Sequence, residues 1–123
     1  MTQVATIPAP PSVNALFING THRSRSKSKD YEAWIKAAGY ALNAAHLRAI
    51  DGPVYVVVRI GRCNRARDAD NFLKPIMDLI VTRKIMRSDN LTTVYSVTAE
   101  NAFEEVAEGM VAVHICPAIA RAA

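Results

Sequence analysis

The stretch "RDADNFLKP", Arg67 to Pro75, sets two carboxylates, Asp68 and Asp70, on either side of one alanine. Arginines crowd the residues before it and a helical pattern follows. In extended backbone, side chains two apart point to the same side, so Asp68 and Asp70 can converge on one site. Inside the helix that follows, Asp70, Lys74 and Asp78 are spaced four apart and share one polar face. Asp89, in "RSDNL", falls where that helix must hand back to a strand. Converging carboxylates repel one another unless a cation sits among them, and arginines or a divalent metal supply it. Magnesium takes a few carboxylates plus water, so three aspartates from two junctions suit that ion. The same residues also have plainer roles. Asp70 or Asn71 caps a helix, Asp68 pairs with Arg65 or Arg67, Asp89 shapes a turn, and Lys74 is half of a surface i,i+4 pair. Spacing alone leaves both readings open.

The charge pattern bears on what such a site would act upon. The chain has 123 residues, 50% hydrophobic and 21% charged, which predicts one globular domain with a real core. Its net charge of +4 is modest, but most of the 15 lysines and arginines gather in three clusters. These are Arg23, Arg25, Lys27 and Lys29; Arg59, Arg62, Arg65 and Arg67; and Arg83, Lys84 and Arg87. Clusters of this kind suit phosphate contacts, and they are equally compatible with three solvated basic surfaces. Cys63 and Cys116 form no CxxC pair, which argues against a disulfide framework or structural zinc and favours a reducing cytoplasm. His22, His46 and His114 are scattered, so a histidine metal site is not expected. The proline-rich N-terminal stretch has no basic lead-in or sustained apolar core, so neither a signal peptide nor a membrane span is expected.

Elements of the right kind exist to position the aspartates. "QVATI" reads as a strand running into the stiff loop "PAPP". Residues 19–29 read as a mobile basic loop, and residues 1–6 and 117–123 as frayed ends. A helix begins near Ser28 or Asp30, both good caps, and repeats Tyr31, Trp34, Ile35, Ala38, Leu42, Ala45 and Ala49 along one face until "DGP" from Asp51 ends it. Trp34 and Phe103 are expected as packing residues. "PVYVVVRI" is the strongest strand, expected to be buried on both faces. From Leu73, Ile76, Met77, Ile80 and Val81 mark a second helix reaching about Ile85, with Pro75 distorting its first turn or delaying its start. "LTTVYSVTAEN" and "GMVAVHICP" read as strands joined in a hairpin. The order is β-α-β-α-β-β, an α+β domain spanning 1–123 with a mixed sheet and two helices packed on it.

"RDADNFLKPIMDLI", followed at the right distance by "SDN", resembles the signature of the RusA family of crossover-junction endodeoxyribonucleases. "IPAPPSVNALF", a basic loop and "DYEAWIKAA" are similar to that family's Pro-Pro-Ser-x-Asn opening and Tyr-containing first helix. The resemblance covers residues 7 to 97. It implies a small dimeric bacterial or phage enzyme that resolves Holliday junctions with magnesium, one or two ions per site, in the cytoplasm of a bacterial or phage-infected cell. It implies that Asp68, Asp70 and Asp89 are metal-binding carboxylates, Lys74 the functional lysine, and Arg67 the basic residue leading the motif. Arg23, Arg25, Lys27, Lys29, Arg62, Arg65, Arg67 and Arg87 would then hold DNA. The chain departs from the family pattern where two adjacent aspartates are common and it has Ser88-Asp89-Asn90. It also lacks, in "RKIMR", the glycine often found shortly before them.

Two other readings keep their place: a non-catalytic basic nucleic-acid-binding module whose aspartates only cap and pair, and a nuclease for other branched DNA such as flaps.

Overall fold

Val54–Ile60 alternates in burial along its length. Val54, Val56, Val58 and Ile60 are buried, while Tyr55, Val57 and Arg59 are half-buried. That alternation marks a sheet with helices on one face only, and it corrects the expectation of a strand buried on both faces. Tyr55 and Arg59 are the sequence signal for it, since each carries a polar tip that an enclosed face would strand. The computed structural model describes residues 2–12, 16–19, 25–63 and 69–118.

In chain order the elements are β1 (Gln3–Pro8), β2 (Phe17–Asn19), β3 (Arg25–Lys27), α1 (Lys29–Ala45), β4 (Val54–Ile60), a 3-10 turn (Ala69–Phe72), α2 (Leu73–Thr82), β5 (Val94–Asn101) and β6 (Met110–Pro117). The main sheet is four-stranded in the order β1-β6-β4-β5, and β2 pairs with β3 in a separate two-stranded ribbon. The domain is therefore α+β with a mixed sheet and two helices. β4 and β5 run parallel, and β6 is antiparallel to both β1 and β4. The expected β5–β6 hairpin does not form, because β4 lies between the two strands. β4 and β5 are joined through α2, the kind of crossover a parallel pair requires.

The described parts of both ends are paired, and residues 1 and 119–123 lie outside the described residues. Gln3 already pairs with Ile115, so the strand starts inside the stretch expected to fray. At the other end β6 reaches Pro117, and Ala118 is buried with its N–H donated to the Pro53 carbonyl. The expected basic loop 19–29 is part ribbon, since Phe17 to Asn19 pair with Lys27 to Arg25, and Lys29 opens α1. Arg23 lies outside the described residues.

α1 starts where its cap chemistry says it should: Ser28 Oγ accepts from the Tyr31 N–H at 3.1 Å. It stops earlier than the apolar repeat predicts, at Ala45, with His46 in the left-handed region at φ 51°. Arg48 then binds Gln3 through its N–H and its carbonyl, drawing the chain off the helix axis onto β1 and leaving Ala49 beyond the helix. Tyr31, Trp34, Ala38 and Leu42 face a single core with Val54, Val56, Val58, Ile76, Ile80, Val111, Val113 and Ile115. The Trp34 indole also donates to the Pro8 carbonyl at 2.8 Å, pinning α1 to the end of β1. Gly39 gives α1 a flat spot against which the Arg83 guanidinium lies, in space that a Cβ would occupy.

Candidate functional site

The chain leaves β4 through Gly61, whose missing Cβ leaves room for the backbone carbonyls of Val106, Ala107 and Met110. The next described element is the 3-10 turn. Asp70 lies in that turn and is exposed; Phe72, also in the turn, is buried. Neither Asp70 nor Asn71 is the helix cap: α2 is capped at Phe72, with no side-chain bond to the backbone. Pro75 explains the arrangement. It sits within the first turn of α2, where backbone N–H groups have no partner in any helix, so the α-helix proper starts only at Leu73.

α2 then presents Lys74 and Asp78 one turn apart, with Lys74 Nζ donating to Asp78 Oδ1 at 3.1 Å. The helix ends in a Schellman arrangement. The Lys84 N–H bonds the Val81 carbonyl and the Ile85 N–H bonds the Ile80 carbonyl, with Lys84 left-handed at φ 62°. This is a conformation that favours glycine, in the segment "RKIMR" that lacks one. The turn sends the chain back. Ile85 and Met86 are buried, and the Ile85 carbonyl accepts from the Ile50 N–H at 2.7 Å. Ser88 Oγ donates to Thr93 Oγ1 at 2.9 Å, and Thr93 is buried.

On that returning segment Asp89 Oδ2 comes within 3.6 Å of Lys74 Nζ. Asn90 faces its own turn instead, its Oδ1 accepting from the Thr92 N–H and hydroxyl. Lys74 thus stands between two carboxylates from different elements. Hydrogen bonding and attraction from Asp78 hold its ammonium above its ordinary pKa against the opposing effect of burial, and the charge and weaker bonding of Asp89 add less. The Tyr31 phenol is raised too, mainly by burial and next by the Asp78 charge, with Lys74 opposing. Asp78 and Asp89 border a cleft of about 320 Å³ with Phe17, Lys27, Tyr31 and Ile35. The α2 terminus and the β2–β3 ribbon therefore meet at the same cleft.

Among the predicted site residues, the structure brings together Lys74 and Asp89. Asp70 lies in the 3-10 turn before α2, not on the α2 face that carries Lys74 and Asp78 as its spacing predicts. Asp68, Arg65 and Arg67 lie outside the described residues, and no three Asp, Glu, His or Cys converge among the described ones. The expected DNA-binding cations divide. Arg62 pairs with Glu104 at 3.3 Å and lies over the Phe103 ring at 4.9 Å, and Arg87 pairs with Asp51 at 3.6 Å. Arg59 pairs with Glu100 and Glu105. Glu100 near the end of β5, and Glu104 and Glu105 of the β5–β6 connection, therefore offset part of the second basic cluster. Lys27 and Lys29 are exposed, and among the described residues neither forms an ion pair. Phe103, expected to be packed away, is 39% exposed beneath Arg62. Trp34 is a core residue as expected. Asp78, whose four-residue spacing sets it on one helical face with Lys74, also borders the cleft.

No family model matches the chain, and no curated protein is similar to it. Among the described residues no helix is long and apolar enough to cross a membrane.

Proposed function

We propose that the protein is a magnesium-dependent endodeoxyribonuclease of the RusA type that resolves four-way DNA junctions, acting as a homodimer in a bacterial or phage-infected cytoplasm. The observation that carries the reading is the meeting of Lys74 with Asp89 across two elements, inside the sequence pattern that resembles that family. Lys74 pairs with Asp78 along one helix, whereas Asp89 reaches it from the segment beyond α2.

The donors near Lys74 suit a hard cation. They are carboxylates at exposed or half-exposed positions. Asp70 and Asp89, with Asp68 by resemblance, would hold magnesium. When bound, that ion supplies charge neutralisation to a phosphodiester under attack by water. Lys74 is placed to stabilise negative charge developing on the phosphate or to orient water, because its ammonium stays protonated across the physiological range. Lys27, at the cleft bordered by Asp89, is placed to take a flanking phosphate, with Lys29 beside it in sequence. Such contacts position the duplex without reading its sequence. A twofold dimer would set two such sites on opposing strands of a symmetric junction.

The test is one cleavage gel with four-way, flap and linear duplex DNA, with and without Mg²⁺. Paired nicks in the four-way junction that need the metal support the proposal. Cleavage of flaps alone moves the substrate to other branched DNA, and binding without cleavage under every condition favours the non-catalytic module.

A further inference from the structure

We infer that Asp78 is a positioning residue: it keeps the Lys74 ammonium at the site when the Asp89 carboxylate is engaged by another cation. The inference rests on the nuclease reading and deepens it at one residue.

Lys74 has two anionic neighbours of different kinds. Asp78 shares α2 with it and makes the closer contact, a hydrogen bond of 3.1 Å. Asp89 arrives on the returning loop and makes the longer contact, 3.6 Å. Asp78 is also the least exposed of the three side chains, at 38% against 41% for Asp89 and 61% for Lys74. A divalent cation drawn to Asp89 would neutralise that carboxylate and repel the ammonium beside it. The flexible lysine stem would then swing toward water unless a second anion on the same helix retained it. Asp78 is that anion. Its one-turn spacing fixes it relative to the Lys74 backbone however the loop moves.

An ordinary i,i+4 pair would have no bearing on chemistry. A metal ligand would act on the ion directly. A positioning residue acts only through Lys74, so its removal should matter only while Lys74 is present. The experiment uses the full chain as wild type, Asp78→Asn, Lys74→Met and the double variant, with Asp78→Ser as a second probe of the same position. Single-turnover cleavage of a four-way junction is measured alongside junction affinity in Ca²⁺ and Mn²⁺ affinity by calorimetry. Asp78→Asn should slow single-turnover cleavage about tenfold to a hundredfold, the scale of losing orientation. Junction and Mn²⁺ affinities should stay within about twofold, and the same change in the Lys74→Met background should alter the rate by less than about twofold.

A readout independent of cleavage is the ¹H–¹⁵N signal of the Lys74 ammonium during Mg²⁺ titration. In the wild type it should keep its position, and in Asp78→Asn it should move to that of an exposed lysine. Equal rate losses in both backgrounds, weakened Mn²⁺ binding in Asp78→Asn, or a wild-type ammonium signal released by Mg²⁺ would each overturn the inference while leaving the nuclease reading intact. A wild-type protein that neither binds Mn²⁺ nor cuts any branched DNA overturns both.

Discussion

Asp89 Oδ2 lies 3.6 Å from Lys74 Nζ, although the helix that carries Lys74 leads away from the turn holding Asp70. At about 1.5 Å per residue, α2 carries the chain about 15 Å along its axis before it can turn. The left-handed Lys84 reverses it, and the buried Ile85 and Met86 lay the return against the core. Two carboxylates from separate elements thereby meet one cation.

Asp70→Asn is expected to abolish Mg²⁺-dependent cleavage while leaving junction binding largely intact. Asp70 is exposed in the 3-10 turn and does not cap α2, so the substitution should change thermal stability by less than about 0.5 kcal/mol. Gel-shift and cleavage assays on one preparation check it. Full activity in this variant would remove Asp70 from the site.

Asp89→Asn and Asn90→Ala should separate chemistry from turn formation. The first should lose cleavage and keep the fold. The second should keep the cleavage chemistry and lose about 1 kcal/mol of stability, because the Asn90 side chain holds the Thr92 backbone. Urea midpoints alongside single-turnover rates distinguish them, and the reverse pattern would move the site to Asn90.

Replacing Arg23, Arg25, Lys27 and Lys29 together by Ala should flatten the dependence of junction binding on salt. For every phosphate no longer neutralised, the log–log slope on duplex arms shrinks by about 0.9. An unchanged slope would show that the ribbon faces away from DNA.

Lys84→Gly should stabilise the protein by up to about 1 kcal/mol, since glycine accepts a left-handed turn without the steric cost of a Cβ. A higher melting temperature with unchanged cleavage is the expected result. A lower one would mean that the Lys84 side chain contributes more than its backbone strain costs.

Stability should fall as pH rises above about 10. The Lys74 ammonium is held above its ordinary 10.5, so its contribution is complete below that value and is lost as pH climbs through the raised one. Tyr31 adds to the loss with the same sign. Burial keeps its proton on in the folded protein, whereas the unfolded chain releases it near 10.0, favouring unfolding beyond that point. The lysine contribution is small, below about 1 kcal/mol, because the pair is open to solvent. Urea midpoints from pH 9 to 12 for wild type and Lys74→Met measure it, and a steeper alkaline loss in the variant would contradict the sign.

Local chemistry was legible in the chain itself. Ser28 caps α1 because its hydroxyl suits that place, Leu73 starts α2 because Pro75 must sit in a first turn, and the apolar spacing of Tyr31, Trp34, Ala38 and Leu42 sets the buried face. The kinship of Lys74 and Asp78 was legible for the same reason, since four residues make about one helical turn, whereas Asp70 falls in the 3-10 turn ahead of α2 and not on its face. What the sequence did not determine depends on contacts between distant segments. Whether Val57 meets a helix or solvent, and whether β5 pairs with β6 or with β4, follows from which strands the core brings together. α1 ends at Ala45 with His46 left-handed, and the Arg48 that follows binds Gln3, a partner from the far end of the chain. Asp89 reaches Lys74 because a lysine accepts the left-handed backbone that glycine normally supplies, at a strain the buried Ile85 and Met86 offset. Spacing along a chain decides which side chains share a face; only the packed core decides which faces meet.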